Sequence, residues 1–448
     1  MTTGTRSATR TVLSLLLACG LPWQAFGQTP AKGLEGAWYG TLEAGSTKLP
    51  LVVTVTRSES GVYAGKLESP AQGATIPFES VSLRRDDVTL ASKAAGIAYE
   101  GVLNKDHTEL AGTFRQGGQS IPLNFTRNKP AAMAQASPKP KPDYSAPADA
   151  PYTAEEVLVK TPGGFTLAGT LTLPKAASRT TQVGAVVSIT GSGQEDRDSG
   201  LGLPGYMPFR QIADALARNG IAMLRMDDRE TGSSGGTFKG STSEDFGEDA
   251  RAGLAYLRTR PELRADRLAV IGHSEGAVIT PMVAEKEPTL RAIVLLAGVA
   301  EPARSALHAQ MKNNIEHESN LAPAEKATRI AAIPAAIDGM MAADPWMKFF
   351  LTYDPAATMR RVKTPVLILT GSNDQQAAPA QVALEAAAFK SGGNKDVTAR
   401  VVPGLNHLFV EDADGFPGNY AKLPPPIVMR ADVVKVITDW VVKQLRAP

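Results

Sequence analysis

The chain has 448 residues, enough for two domains or for one large and one small domain. Its 47 Lys and Arg residues nearly balance its 45 Asp and Glu residues, which leaves a formal charge of +2, and no segment is rich in Lys or Arg. This balance argues against a nucleic-acid partner, because such partners are bound through clustered positive charge.

The first residues have the pattern of an export signal. Two arginines precede the apolar run TVLSLLLACGLPW, and the small-x-small step AFG ends at Gly27. We expect residues 1–27 to be removed and the mature protein to be periplasmic or secreted. The apolar run is about half of the ~20 residues that span a bilayer, and no later run is long and apolar enough, so we expect no integral membrane segment in the mature chain.

Cys19, the one cysteine of the chain, lies inside this segment. Cleavage after Gly27 would leave a mature chain without a thiol, so neither a disulfide nor a thiolate metal site is expected. The alternative is a lipoprotein signal, LLAC, in which Cys19 is lipidated and anchors the protein. Leu17 fits that pattern poorly, which favours the ordinary export signal.

Residues 32–128 predict a small all-β module. An aromatic-x-Gly-x-Leu pattern recurs as WYGTL, YAGKL and YEGVL. Alternation with a period of two, and turn residues about every ten positions, is typical of short antiparallel strands in a sandwich or barrel. Such a module either binds a ligand or is simply a folded unit with an aromatic core, and we favour the second interpretation. Residues 129–152 are rich in Pro and Ala and predict a solvated linker.

Residues 153–448 predict an α/β domain. A hairpin at residues 155–174 is followed by apolar runs that alternate with amphipathic, helix-length segments. Strands that are apolar on both faces are typical of a mostly parallel sheet covered by helices, here with eight strands. Ligands bind such sheets at the carboxyl ends of the strands. The six apolar runs lie at residues 183–190, 221–226, 268–272, 292–298, 365–371 and 397–402.

The segment from about residue 301 to 352 interrupts this alternation with helical sequence. An insertion at the carboxyl edge of the sheet would form a cap over the site. Its Met and aromatic side chains either line an adaptable acyl pocket or pack the cap onto the body, and the sequence singles out none of them as a site residue. These side chains are Met311, Met340, Met341, Trp346, Met347, Phe349 and Phe350.

The segment RLAVIGHSEGA, residues 267–277, carries a Gly-x-Ser-x-Gly step between an apolar strand and a predicted helix. Gly272 and Gly276 make room for a sharp turn that pushes the serine hydroxyl out of the sheet. We therefore predict that Ser274 is a nucleophile.

A serine hydroxyl needs a histidine to accept its proton, and the histidine needs a carboxylate to orient it. Of the five histidines, His407 follows the last apolar strand. Asp374 also follows a strand and lies between Ser274 and His407 in the chain, the order that this fold class uses. Asp412 or Asp414 could substitute for it. The remaining histidines are His107 in the β-module, His273 beside the nucleophile, and His308 and His317 in the cap.

Acyl transfer also needs backbone N–H donors for a developing oxyanion. We expect one from Glu275 and the other from Ser192 in the Gly-rich stretch ITGSGQEDRD. A phosphate-binding loop is the rival interpretation of this stretch, but no Gly-Lys-Ser/Thr follows it. The neighbouring segments QEDRD and MDDRETGSSGG either contact substrate or form ion-paired loops, and we favour ion-paired loops.

The motifs GHSEGA, GSND and GLNH, with ITGSGQEDRD and DDRETGSS, resemble those of the α/β-hydrolase superfamily, and within it the secreted bacterial hydrolases related to the serine aminopeptidase-like group. The resemblance covers residues 155–446, and some of these relatives carry a similar N-terminal β-module. It implies ester-type hydrolysis by a serine–acid–histidine triad with two oxyanion amides, without fixing the substrate. By position these are Ser274, Asp374 and His407, with the amides of Ser192 and Glu275.

The chain departs from the resembled pattern at Glu230, where relatives usually have glycine in an Asp-x-Arg-Gly-x-Gly-x-Ser loop. The shape of this loop therefore does not follow from the resemblance.

The predicted function is hydrolysis of small-molecule carboxylic esters through an acyl-enzyme intermediate, with no metal or organic cofactor. The sequence contains no His-Glu-x-x-His run of the kind that binds zinc. Two alternatives stay open: a serine peptidase or thioesterase that uses the same triad, and a binding protein with a catalytically dead hydrolase fold. The intact triad argues against the second. The sequence does not define the oligomeric state.

Overall fold

The computed structural model describes residues 33–44, 47–58, 60–69, 74–92, 96–116, 119–129, 142–318 and 321–446. The predicted export signal and Cys19 lie outside these residues. The chain divides into two compact units, Met1–Pro142 and Asp143–Pro448.

The first unit is a nine-stranded antiparallel sheet in the order β4-β3-β2-β1-β9-β8-β7-β6-β5. Strands β4 and β5 lie at opposite edges of this sheet, yet Glu79 alone connects them. The two edges must therefore meet, and the sheet closes into a barrel. The strands are β1 Gly36–Ala44, β2 Thr47–Arg57, β3 Tyr63–Ser69, β4 Ala74–Phe78, β5 Ser80–Arg84, β6 Asp87–Ser92, β7 Ile97–Leu103, β8 Glu109–Gln116 and β9 Gln119–Thr126.

The recurring aromatic-x-Gly-x-Leu residues fill the interior of this barrel. Trp38 is buried and donates its indole N–H to the carbonyl of Leu34 at 2.8 Å. Tyr99 is also buried, and its hydroxyl lies 3.2 Å and 3.1 Å from two strand carbonyls. A side chain at Gly40 would lie 2.7 Å from a carbonyl oxygen of the neighbouring strand, so the glycine allows close strand approach.

Residues 143–152, which the sequence assigns to the linker, pack on the second unit. Arg210 donates to the carbonyl oxygens of Asp143 and Ser145, and the Tyr152 hydroxyl lies 2.7 Å from Asp214 Oδ1. Tyr152, at the end of this Pro- and Ala-rich segment, thus has a polar partner on the second unit that composition alone does not reveal. Residues 130–141 of the predicted linker lie outside the described part of the chain.

The second unit contains an eight-stranded sheet in the order β10-β11-β13-β12-β14-β15-β16-β17. Strands β10 and β11 form the predicted hairpin, and β11 also pairs antiparallel with β13. The six strands β13, β12, β14, β15, β16 and β17 are parallel to one another. The predicted α/β fold class is confirmed. The strands are β10 Tyr152–Lys160, β11 Thr166–Pro174, β12 Val183–Ile189, β13 Ala222–Met226, β14 Leu263–His273, β15 Ala292–Leu296, β16 Val366–Gly371 and β17 Val397–Val402.

Helices cover both faces of this sheet, because successive strand residues alternate between two apolar cores. Val187 belongs to the core under α2 and α8, whereas Val186 belongs to the core under α1 and α9. The body helices are α1 Pro208–Arg218, α2 Ser243–Thr259, α3 Glu275–Lys286, α7 Pro355–Met359, α8 Gln381–Ser391 and α9 Ala431–Arg446.

The segment after β15 is helical, as the sequence predicts for a cap. It contains α4 Arg304–His317, α5 Pro323–Ala343 and α6 Pro345–Thr352. The cap has a small apolar core of its own, centred on Ile333, Ile337 and Leu351. Across the described ranges, no helix combines the length and apolar character needed to cross a membrane.

Glu385 is a buried carboxyl group on α8. Neither of its oxygens has a hydrogen-bond partner within the described part of the chain, and a side chain at Gly298 would lie 2.5 Å from Oε1. Burial raises the pKa of Glu385 from 4.5 to about 8. The core therefore accepts the neutral acid, and ionisation of this group opposes folding.

Glu385→Gln should stabilise the protein, and more so at alkaline pH. Between pH 4.5 and about 8, Glu385 is ionised in the unfolded chain but protonated in the folded chain. The contribution of Glu385 to the free energy of unfolding is therefore complete below this window and is lost as pH rises through it. In urea unfolding followed by tryptophan fluorescence, we expect the gain in free energy of unfolding to be several times larger near about pH 8 than near about pH 5. Glu316→Gln, at an exposed cap position, should give no such gain. An equal gain at both pH values for Glu385→Gln would contradict this prediction.

Candidate active site

Ser274 lies at the sharp turn between β14 and α3. Its backbone has φ 56° and ψ −117°, a left-handed conformation that costs free energy for a residue with a side chain. Its amide donates to the carbonyl of Leu296 at 2.9 Å, which fastens the turn to the next strand. The predicted strand, turn and helix are all present, and the turn brings Ser274 to the edge of a cavity.

The two glycines that flank Ser274 are required by close backbone contacts. A side chain at Gly272 would lie 2.0 Å from the carbonyl oxygen of Gly276. One at Gly276 would lie 2.3 Å from the carbonyl oxygen of Ile189 on β12. Both contacts are far inside van der Waals distance, so the helix can approach the sheet this closely only with glycine at both positions.

Asp374 and His407 form a buried pair at the carboxyl end of the sheet. His407 Nδ1 lies 2.8 Å from Asp374 Oδ2, and each residue is 4% exposed. The other carboxylate oxygen of Asp374 accepts from the amides of Gln376 at 2.7 Å and Ala377 at 2.8 Å. Because a carboxylate only accepts, Nδ1 of a neutral His407 carries the proton and Nε2 is left as an acceptor.

The alternative acids have another task in this structure. Asp412 accepts from the Asn406 side chain at 3.1 Å, and Asp414 accepts from the amide of Phe416 at 2.9 Å. Both contacts shape the loop that follows His407. Asp374, rather than Asp412 or Asp414, is therefore the carboxylate paired with His407.

His273 contacts His407 directly, a role that its position in the sequence does not reveal. Its Nε2 lies 2.9 Å from the carbonyl oxygen of His407, and the ring centroids are 4.8 Å apart. A carbonyl only accepts, so Nε2 of His273 donates. Burial lowers the pKa of His273 from 6.5 to about 4, which keeps this ring neutral. The other three histidines lie in the β-barrel unit and the cap, as expected.

Ser274 and His407 border the same cavity, of about 380 Å³. One wall comes from the body and includes Ser192, Glu195 and Glu275. The remaining walls are largely apolar, and several come from the cap. Apolar lining residues include Val299, Leu307, Trp346, Met347, Phe350, Leu351, Leu408 and Tyr420. Met347 and Phe350 line this cavity and also pack within the cap.

The expected oxyanion donors, Glu275 and Ser192, also border this cavity. Glu275 is the first residue of α3, so its N–H has no acceptor within the helix and lies at the positive end of the helix dipole.

The loop that carries Ser192 is fastened by carboxylates from the loop after β13. Asp228 accepts from the Thr190 hydroxyl at 2.7 Å and from the Glu195 amide at 2.8 Å. Asp227 forms a two-pronged ion pair with Arg197, with distances of 3.0 Å and 2.8 Å. These contacts fit the interpretation of both segments as ion-paired loops.

Glu230 stands where the Asp-x-Arg-Gly-x-Gly-x-Ser pattern has glycine. Its backbone has φ 57°, the left-handed region in which glycine is favoured. The Glu230 side chain accepts from the amide of Phe238 at 2.9 Å, and its own amide donates to Gly235. A non-glycine residue thus occupies the same kind of turn, stabilised by a local hydrogen bond.

Glu195 is a further ionisable group beside the nucleophile. A side chain at Gly191 would lie 3.0 Å from Glu195 Oε1 and 3.5 Å from Ser274 Cβ, so Gly191 lets the two approach. Burial raises the pKa of Glu195 to about 7, with smaller contributions from Asp196 and Glu275. Its other oxygen contacts the hydroxyl of Ser199. Within the described residues, no group of three or more His, Cys, Asp or Glu side chains is arranged to hold a metal ion.

Three features define the fold of the second unit. They are its strand order, the sharp turn at Ser274 and the Asp374–His407 pair. The second unit has the α/β-hydrolase fold. Within it, residues 206–414 match the family model described as serine aminopeptidase, S33.

Proteins similar to this chain include named esterases. Esterase EstD of Thermotoga maritima is 28% identical over 291 residues, which cover 62% of this chain and 66% of that protein. Similar solved structures include the Pyrococcus furiosus esterase Pf2001, with 17% identity, a TM-score of 0.44, and coverage of 67% of this chain and 96% of that one. Est1E of Butyrivibrio proteoclasticus, solved with ferulic acid bound, has 16% identity, a TM-score of 0.44, and coverage of 65% and 100%.

Ionisation of Glu195 should slow reactions of Ser274 that generate an oxyanion. The measurement is the rate at which a fluorophosphonate modifies Ser274 in the wild type, divided by the same rate in Glu195→Gln. We expect this ratio to fall by roughly three- to tenfold as pH rises through about 7. A ratio that stays constant across this pH range would contradict the prediction.

Proposed function

We propose that the second unit is a serine hydrolase that cleaves small-molecule carboxylic esters through an acyl-enzyme intermediate on Ser274. The observation that carries this proposal is the buried Asp374–His407 pair on the cavity that also holds Ser274 at its strained turn. Nucleophile, base and orienting acid then come from the ends of three parallel strands.

In the first step His407 Nε2 accepts the proton of the Ser274 hydroxyl while Oγ attacks the ester carbonyl carbon. The carbonyl oxygen takes the electron pair and becomes an oxyanion, which the amides of Glu275 and Ser192 stabilise. The tetrahedral intermediate collapses, the carbon–oxygen bond to the alcohol breaks, and His407 returns the proton to the departing alkoxide.

In the second step a water molecule replaces the alcohol. His407 takes a proton from this water as it attacks the acyl carbon, and a second oxyanion forms. Collapse breaks the bond to Ser274 Oγ, which regains its proton, and the carboxylic acid leaves. Asp374 stays ionised and stabilises the imidazolium in both steps.

The cavity supports an ester with an apolar group of moderate size. Its volume is about 380 Å³ and its cap-derived walls include Leu307, Met347 and Phe350. EstD, which bears the name of an esterase, supports the same reaction class over the matched 62% of this chain. A peptidase using the same residues would in addition have to protonate a poor leaving amine.

Ser274→Ala should reduce hydrolysis of p-nitrophenyl acyl esters by at least about a thousandfold, because the acyl-enzyme can no longer form. His407→Ala should have an effect of the same order, and both variants should keep the wild-type circular dichroism spectrum. The measurement is kcat/KM over a short-to-long acyl series, beside a panel of aminoacyl anilides and acyl thioesters.

Ser305→Ala, an exposed serine in the cap, is the matched control and should retain wild-type rates. Full ester turnover by Ser274→Ala would contradict the mechanism. Turnover of anilides or thioesters alone would assign the same site to a peptidase or a thioesterase. A wild type silent on every panel would favour the binding-protein alternative.

We also propose that residues 1–27 direct export of the protein, on the evidence of their sequence pattern. After expression of the full chain in a bacterium, intact-mass measurement of the periplasmic fraction should give an N-terminus at Gln28. A mass that retains the first residues would contradict export with cleavage, and a lipid adduct on Cys19 would favour the lipoprotein alternative.

A further inference from the structure

The proposed chemistry uses the amide of Glu275 and leaves its side chain without a task. This carboxylate is 1% exposed and borders the cavity beside Ser274. Burial of a carboxylate is costly unless hydrogen bonds compensate for it. The partners of the Glu275 side chain therefore indicate what the buried carboxylate does.

Two donors from different parts of the fold converge on one oxygen of Glu275. The hydroxyl of Ser243, at the start of α2, donates to Oε1 at 2.5 Å. The indole N–H of Trp346, on cap helix α6, donates to the same atom at 2.8 Å. Both distances are those of strong, charge-assisted bonds. A single atom thus joins the nucleophile helix α3 to a body helix and to the cap.

The hydrogen bonds also affect the charge of the group. Burial raises the pKa of Glu275, and the bonds from Ser243 and Trp346 act in the opposite direction, as does the Ser192 side chain. The donors thus favour the ionised form, which binds an indole N–H more strongly than a neutral acid does.

Trp346 is a wall of the cavity. Its ring stacks on Phe350, with a centroid distance of 5.7 Å and an interplanar angle of 5°. Both rings border the cavity that contains Ser274. Stacking fixes the plane of the indole, and the bond to Glu275 fixes which edge faces the nucleophile helix. Without that bond the χ2 rotation of the indole would be held by apolar contacts alone.

We propose that Glu275 is a positioning residue whose side chain holds Trp346 as the wall of the substrate pocket and so sets the length of the apolar chain accepted beside Ser274. This inference rests on the proposed function. Loss of the anchor would let the indole move and would weaken the discrimination between short and long chains. The effect should fall on the ratio of rates for the two chain lengths rather than on all substrates equally.

The test compares alkyl fluorophosphonates with ethyl and octyl chains as labels for Ser274 in the full chain, read by intact mass. Trp346→Phe keeps an aromatic wall but removes the N–H donor. Glu275→Ala removes the acceptor, whereas Glu275→Gln keeps an amide oxygen that can accept from Trp346. Trp440→Phe, in α9 away from the cavity, is the matched control.

We expect Trp346→Phe and Glu275→Ala to shift the octyl-to-ethyl ratio of labelling rates in the same direction, by at least about threefold. The double variant should shift it no further, and Glu275→Gln should remain within about twofold of wild type. Unchanged ratios, or additive shifts in the double variant, would overturn the proposal. If Glu275→Ala does not fold, the comparison of Trp346→Phe with Glu275→Gln still decides between these outcomes.

Hydrogen exchange of residues 345–352 separates this inference from the proposed function, because it needs no catalysis. Glu275→Ala and Trp346→Phe should raise exchange in this segment and leave α9 unchanged. If wild-type Ser274 takes up no label, the hydrolase proposal fails and exchange alone judges the link between Glu275 and Trp346. Unaltered exchange in residues 345–352 would overturn the link in either case.

Discussion

The whole site depends on the close approach of helix α3 to the edge of the sheet at Ser274. That approach forces Ser274 to φ 56° and leaves no space for a side chain at Gly272 or Gly276. Packing of an almost fully buried helix, and the hydrogen bond from the Ser274 N–H to the Leu296 carbonyl oxygen, compensate for the free-energy cost of the strained residue. As a result the serine hydroxyl, the first helical amide and the carboxyl ends of the parallel strands all meet at one cavity.

Buried acidic side chains border this cavity or hold the loops beside it. Burial raises the pKa of Glu195, Asp228 and Glu275, so each is neutral or is compensated by hydrogen-bond donors. This group of carboxyls disfavours negative charge near the place where an oxyanion would develop, although hydrogen-bond donors oppose the effect at Glu275. It also ties separate loops together, since Asp228 fastens the loop of Ser192 and Glu275 reaches the cap through Trp346. The same buried carboxyl groups therefore set both the positions of these loops and the electrostatics of the site.

Much of the second unit could be predicted from sequence because its strands are apolar on both faces and each site residue directly follows one of them. Ser274, Asp374 and His407 converge because the carboxyl ends of parallel strands meet at one edge. Contacts between residues far apart in the chain left no such signal. The bond between Glu275 and Trp346 spans 71 positions, and that between His273 and the His407 carbonyl spans 134. Barrel closure in the first unit likewise follows from strand order and not from periodicity.

Detection of the acyl-enzyme would establish Ser274 as the nucleophile. A p-nitrophenyl ester that the protein turns over is mixed with it and quenched in acid, and the peptides are analysed by mass spectrometry. We expect the peptide that contains Ser274 to gain the mass of the acyl group less one hydrogen. Turnover with no adduct under any quench time, or with the acyl group on another residue, would contradict this expectation.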